Sequence, residues 1–254
     1  MGSEIEPSAA RGFARAPEAY ERGRPTYPAA ALQRLARELR LKRGRVVLDL
    51  AAGTGKLTAL LVETGADVLA VEPVAEMRRA LARRVPGVPV YGSTAESTEL
   101  AAQSVDAVTV AQAFHWFRGD QALAEIHRVL RPGGRLGLLW NFRDESVPWV
   151  AELTRIIEPH RGAAPRAVSR AWREAFERTM LFEPLETATF RHVHELTAEG
   201  LLARIASVSF IAALPDPRRA QVLAEVQELV DTATVELPYR TEVYWTTRRG
   251  DVRP

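Results

Sequence analysis

The chain reads as an α/β protein built on a doubly wound, mostly parallel sheet. Three observations carry that reading. Strand-like and helix-like segments alternate from Pro28 to Asn141. The strand candidates are rich in β-branched residues and leucine, with little apolar–polar alternation, as strands covered on both faces require. The first of them, in VVLDLAAGTGKLT from Val46 to Thr58, runs through an acid into a small-residue turn and a helix start.

Taken in order, residues 1–19 are small, charged and punctuated by proline and glycine, the composition of a flexible tail. Helical periodicity begins near Pro28, where AAALQRLARELRL sets Leu32, Leu35, Leu39 and Leu41 near one face. RVVLDLA is the first strand, KLTALLVETG a helix, ADVLAVEP the second strand and VAEMRRALARRV a helix. VPVYG forms a short third strand and VDAVTVAQA a fourth. DQALAEIHRVL is a helix stopped by RPGG, and RLGLLWN a fifth strand. Beyond Asp144 the pattern changes. Val147 to His160 and Pro165 to Met180 read as helices, LETATFRHVHELT as a strand, and TAEGLLARIASV and DPRRAQVLAEVQELVDTA as helices again. TVELPYRTEVYWTTRR alternates as a closing strand should. The expected organisation is a tail (1–19) and a single domain (20–254). Its parts are a ligand-binding core (20–146), a mostly helical insertion (147–233) and the closing strand (234–250).

Composition narrows the function. At 254 residues, 46% hydrophobic and 26% charged, the chain has the balance of a soluble globular domain. A formal net charge of +2 gives no basic face for a polyanion. No apolar run approaches the roughly 20 residues of a membrane span, and no signal peptide is visible, so a cytoplasmic protein is expected. The absence of cysteine excludes disulfides, a thiolate zinc site, an iron–sulfur cluster and a cysteine nucleophile.

The turn after the first strand admits four readings. A phosphate loop requires G-x-x-x-x-G-K-[ST], but Leu57 follows Gly55-Lys56 and Leu50 replaces the first glycine. A dinucleotide fingerprint lacks its third glycine, where Thr58 stands. A bare tight turn without ligand is the third. The fourth is S-adenosylmethionine, whose cationic amino-acid end and lack of phosphates suit an acid followed by small residues. Asp49 would then bind the ammonium group, directly or through water, while Gly53 and Gly55 let the backbone approach. Glu72 ends the second strand ~20 residues beyond the turn, the spacing of an acid that accepts hydrogen bonds from a ribose diol. Its competing role is to stabilise the N-terminus of the AEMRRAL helix.

With these residues in place, the chain resembles a class I S-adenosylmethionine-dependent methyltransferase of the small-molecule type (the type 11 methyltransferase domain) from about Tyr20 to Arg249. DLAAGTG is similar to the first motif, with Ala51 in place of the usual glycine. Val71-Glu72-Pro73 is similar to the second, and Ser93-Thr94-Ala95-Glu96 to the adenine-contacting segment, with Ser93 for its glycine and Glu99 for a following proline. VDAVTVAQAFHWF matches the fourth strand and its exit, and EIHRVLRPGGRLGLLWN the helix, turn and fifth strand. AYERGRPTYP is similar to a segment that folds over the cofactor. The resemblance implies a seven-stranded Rossmann-like sheet and S-adenosylmethionine as methyl donor, with S-adenosylhomocysteine as product. It implies cofactor contacts from Tyr20, Arg24, Asp49, Ala51, Gly53, Gly55, Glu72, Pro73, Met77, Thr94, Ala95, Glu96, Gln112 and Ala113.

Ligands in this architecture bind beyond the carboxyl ends of the strands, so the acceptor should lie at the exits of the fourth and fifth. Methyl transfer needs close alignment, and a base only when the nucleophile must lose a proton. His115 is the candidate base; a packed structural histidine is the competing reading. Trp116 either closes the acceptor pocket or belongs to the core. Trp140 adds to the aromatic density of a partly apolar pocket, and Asn141 could orient an acceptor. Arg143 could bind an acidic acceptor or form a surface salt bridge. His192 and His194 share one side of a strand, but no carboxylate is spaced to complete a metal site, so a structural role is expected and no metal. Nucleic acid is an unexpected partner, because QAFHW replaces the N/D-P-P-Y/W run of amino-methylating DNA enzymes. An RNA acceptor, or cofactor binding without catalysis, remains as the alternative to a small-molecule methyltransferase.

Overall fold

The computed structural model describes residues 25–162, 167–230 and 232–250. Seven strands form one sheet: β1 (Val46–Leu50), β2 (Asp67–Val71), β3 (Val90–Tyr91), β4 (Val105–Ala111), β5 (Leu130–Arg143), β6 (Glu186–Thr197) and β7 (Thr234–Thr247). Their spatial order is β3-β2-β1-β4-β5-β7-β6. The first five pair in parallel, and β7 enters antiparallel between β5 and β6. The direction of the chain's crossovers reverses at β1 and β4, where a crevice opens at the carboxyl edge.

Burial explains the strand sequences. Every residue of β4 from Val105 to Val110 is buried, whereas the edge strand β6 alternates exposed and half-buried positions along most of its length. Two apolar layers cover the two faces. On one, α4 (Gly119–Val129) brings Leu123 and Ile126 against Leu48, Val108 and Trp140. On the other, α1 (Ala29–Glu38) and α2 (Lys56–Val62) bring Leu35 and Leu61 against Val47, Leu139 and Trp245. Gly137 allows α1 this close approach: a Cβ there would stand 2.6 Å from Leu35 Cδ1. α3 (Ala75–Arg84) follows β2.

The insertion has its own core. α5 (Pro148–Ile157), α7 (Ala198–Ala206), α8 (Ser209–Ala212) and α9 (Asp216–Gln227) pack Val150, Leu153, Leu201, Ile205 and Val222 against Leu237 and Tyr239 of β7. No helix among the described residues is long and apolar enough to cross a membrane.

Three local expectations change. RPGG does not separate helix from strand: β5 begins at Leu130, opposite Val105, and the register then jumps to Ala107 opposite Arg135. Gly133, at φ 73°, carries the resulting bulge. The segment expected as one helix from Pro165 to Met180 is broken, within its described part, into 3₁₀ turns at Ala167–Ser169 and Ala171–Arg173 and the short α6 (Glu174–Arg178). Arg170 is left-handed (φ 62°), and this turns Trp172 inward to stack on Trp140 at 4.4 Å and donate its indole N–H to the Ala167 carbonyl. Aromatic burial overrides helix propensity here. α8 has no counterpart in the sequence pattern.

Candidate active site

The turn after β1 is built from left-handed residues. Ala51, Gly53 and Gly55 have φ of 57°, 58° and 80°. At Gly55 glycine is required twice over, since a Cβ would also stand 2.8 Å from Leu81 Cγ. Ala51 takes the same backbone region with a side chain, at a steric cost of about 1–2 kcal/mol. The conformation exposes backbone at the carboxyl edge, and Gly55 is the N-cap of α2. Asp49, 1% exposed, sits under this turn; its Oδ2 accepts from Thr58 Oγ1 at 2.7 Å and its Oδ1 from Thr109 Oγ1 at 3.1 Å. Burial pushes its pKa from 3.8 up to about 6, and the two hydroxyls only partly offset this. No cationic side chain compensates it among its described hydrogen-bond partners.

Glu72 holds the turn from the neighbouring strand. Its Oε2 accepts the Gly53 N–H and its Oε1 the Val74 N–H, both at 2.9 Å. Burial raises its pKa, opposed by those bonds and by Arg78. The helix-start role of Glu72 is visible, since Val74 is the N-cap of α3, and the same carboxylate also holds the turn at Gly53. Arg78 Nη1 donates to the carbonyls of Glu72 and Pro73. Met77 is buried on α3 and Ala95 in the core, while Glu96 Oε1 accepts the Arg118 N–H at 3.0 Å. Thr94 Oγ1 and Thr54 Oγ1 are enclosed without a hydrogen-bond partner. Tyr20 and Arg24 lie outside the described residues.

Two pockets meet at the carboxyl edge. The first, about 110 Å³, is lined by Asp49, Ala51, Gly53, Thr54 and Lys56 among others. The second, about 310 Å³, lies between the exits of β4 and β5 and the helical insertion, and His115, Trp116 and Arg143 line it. Gln112, Asn141 and Arg204 belong to both. Gln112 is left-handed (φ 60°), a strained position for a side-chain-bearing residue at a strand exit. Ala113 accepts the Trp116 N–H in the turn that follows.

Not every expected acceptor residue faces this second pocket. Trp140 is 1% exposed and lies in the core, where its indole N–H donates to His115 Nδ1 at 3.3 Å. That bond requires an unprotonated Nδ1, so neutral His115 carries its proton on Nε2. Asn141 is a tether: its Nδ2 donates to the Thr26 carbonyl and its Oδ1 accepts from Thr241 Oγ1 at 2.6 Å. His192 stacks on Tyr239 and shares a 3.3 Å contact with Thr241 Oγ1; His194 tilts over the same ring. Burial lowers the pKa of both. Arg204, from α7, was absent from the sequence reading. Its signal was a lone arginine in the apolar run LLARIA.

A methyltransferase-domain family profile matches residues 48–138, which span β1 to β5. An uncharacterized methyltransferase of Mycobacterium tuberculosis is 44% identical over 224 residues, covering 87% of this chain and 86% of its own. An uncharacterized methyltransferase-like protein of Schizosaccharomyces pombe is 37% identical, covering 84% and 83%. A solved structure from Anaeromyxobacter dehalogenans, described as a type II methyltransferase, superimposes with a TM-score of 0.65 at 25% identity, over 89% of this chain and 97% of that one. The left-handed turn beneath β1, the acid ending β2 and near full-length likeness to these relatives together make this chain a member of the class I S-adenosylmethionine-dependent methyltransferase family.

Proposed function

We propose that the enzyme transfers a methyl group from S-adenosylmethionine to a small-molecule acceptor in the second pocket, without a metal ion. The junction of the two pockets at Gln112, Asn141 and Arg204 carries this reading, because in-line transfer needs donor and acceptor sites that share a wall. The first pocket fits the cofactor class. Asp49 supplies an ionised carboxylate at neutral pH with no ion pair among the described residues, Thr54 supplies an unused hydroxyl, and the left-handed turn that begins at Ala51 leaves backbone at the pocket wall. When bound, the cofactor supplies an electrophilic sulfonium methyl group and leaves as a neutral thioether.

In this reading Asp49 holds the ammonium end, Glu72 accepts from the ribose hydroxyls on the lone pairs its backbone donors leave open, and Thr94 lies by the adenine. Gln112 and Ala113 border the methionyl part. Pro73, Met77, Ala95 and Glu96 are assigned to the adenosine end by the family resemblance, beyond the residues that line the first pocket. Trp116 and Arg143 face the acceptor, Asn141 holds the N-terminal segment at the junction, and Trp140 orients His115 from behind. His115 contributes position or a donated hydrogen bond rather than base catalysis.

Calorimetric titration with S-adenosylmethionine, S-adenosylhomocysteine, NAD and ATP tests the cofactor; only the first two should bind. Transfer of labelled methyl from S-adenosylmethionine to metabolite pools, with total RNA in parallel, tests the acceptor. Label appearing in RNA alone, or binding without any transfer, would overturn the small-molecule reading.

A further inference from the structure

Of the four arginines that line the second pocket, Arg161 pairs with Glu158 and Arg240 with Glu242, while Arg143 and Arg204 keep hydrogen-bonding capacity and have no ion pair among the described residues. Arg204 is only 7% exposed; its Nε donates to Tyr239 Oη at 3.2 Å, and its Nη1 is enclosed without a partner. Arg143, at the end of β5, has its Nε enclosed and unpartnered. The acids that line the same pocket have other hydrogen-bond or ion-pair partners, although Glu145 also acts on Arg143 through its charge. Glu158 pairs with Arg161 at 2.8 Å, Glu145 accepts from Thr154 at 3.1 Å, and Asp144 accepts from Ser146 at 2.8 Å and faces Arg191 at 3.6 Å. No ion pair to Arg143 or Arg204 occurs among the described residues. A buried cation such as Arg204 without a counter-ion is costly, and the half-buried Arg143 on the wall of the same pocket adds to that cost.

Resting on the small-molecule reading above, we propose that the methyl acceptor is an organic anion whose carboxylate or phosphate group is held between Arg143 and Arg204. The guanidinium fork matches either group in geometry. Trp116, Phe142 and Phe210, on the same pocket wall, receive the apolar remainder of the molecule. Burial and the nearby Arg204 and Arg161 charges pull the Arg143 pKa down to about 10, and Tyr239 and Glu145 offset this only in part. The anion relieves that repulsion, so its binding energy depends on both arginines. Arg204 also lines the first pocket, which makes the cofactor's own carboxylate the competing occupant; Arg143 lines the second pocket alone.

The test uses the full chain saturated with S-adenosylhomocysteine and titrated at constant ionic strength with succinate, inorganic phosphate and the neutral succinamide. Succinate or phosphate should bind and raise Tm, and succinamide should do neither. Whichever anion wins identifies the headgroup. Arg143→Gln should weaken the bound anion by about tenfold or more, the loss of one charge-assisted hydrogen bond, while S-adenosylhomocysteine affinity holds. Arg204→Gln should do the same, and Arg204→Lys, which keeps the charge, should retain part of the affinity if the first variant folds poorly. Absence of binding by both anions overturns the proposal, as does equal binding of succinamide or an Arg143→Gln protein that binds the anion normally. An Arg204→Gln protein that loses S-adenosylhomocysteine while keeping the anion assigns that arginine to the cofactor and overturns it too. Failure of S-adenosylhomocysteine to bind the unmodified protein is a separate result, against the cofactor reading itself.

Discussion

Asp106 near the start of β4 and Asp49 near the end of β1 are buried aspartates on adjacent strands, at opposite edges of one sheet. At the amino edge Asp106 accepts from the Val46 N–H and Arg131 at 2.8 Å and from Arg45 at 3.0 Å. Although burial opposes it, these partners hold its pKa below the ordinary value. At the carboxyl edge Asp49 meets two neutral hydroxyls and the Thr58 backbone, with the Glu72 carboxylate nearby, and burial raises its pKa to about 6. One edge completes its electrostatics within the chain and contributes stability. The other leaves a carboxylate in need of a cation, a state that favours a cationic ligand and weakens the empty fold.

The largest effect should come from Asp49→Asn. Below about pH 4 the carboxyl is protonated in both folded and unfolded chains and costs nothing. Between about pH 4 and 6 the folded chain keeps a proton the unfolded chain has released, so stability falls as pH rises. Above that window the full penalty stands; a shift from 3.8 to about 6 corresponds to about 3 kcal/mol. Asn should therefore raise stability at pH 7 by up to that order, with the gain fading toward pH 4. It should weaken S-adenosylmethionine binding at least about tenfold. Denaturant titrations across pH, paired with calorimetry, check both; a destabilised Asp49→Asn protein at pH 7 breaks the comparison.

Asp106→Asn should act with the opposite sign. Its lowered pKa contributes stability above the unfolded value, and that stability is lost as pH falls through the folded value. Loss of charge-assisted bonds should lower stability at pH 7 by roughly 1.5–3 kcal/mol while S-adenosylhomocysteine affinity stays unchanged. Glu72 joins the two behaviours, because it serves both a helix start and the ligand turn. Its two backbone donors mean that removing its carboxylate costs stability even in the empty fold. Glu72→Gln should lower stability by about 1 kcal/mol and S-adenosylhomocysteine affinity roughly tenfold. An effect on only one of these assigns it to a single role.

Smaller changes sharpen the picture within the carboxyl edge. Ala51→Gly relieves a left-handed side chain and should add about 0.5–1 kcal/mol, less than the full strain because glycine costs more entropy on folding. Thermal denaturation reads it directly. His115→Asn keeps an acceptor for the Trp140 indole and a donor for the pocket, so turnover should stay within about threefold across pH, far short of the ~10²-fold loss of a general base. A pH–rate profile that collapses in this variant restores His115 as the base.

Local sequence determined what local physics controls. Runs of buried β-branched residues specify parallel strands, and the acid and small residues of DLAAGTG specify the turn, because strand burial and left-handed backbone leave their mark within a few residues. Only the tertiary structure decided the insertion of β7 between β5 and β6, the break at Arg170 that seats Trp172 on Trp140, and the hydrogen bond from Trp140 to His115 Nδ1. It alone brought Arg204 to Arg143, which lies on a different element far away in the chain. Pairings of that kind depend on which surfaces the assembled sheet and its helices bring face to face, and no window of sequence encodes a distance between segments that meet only after folding.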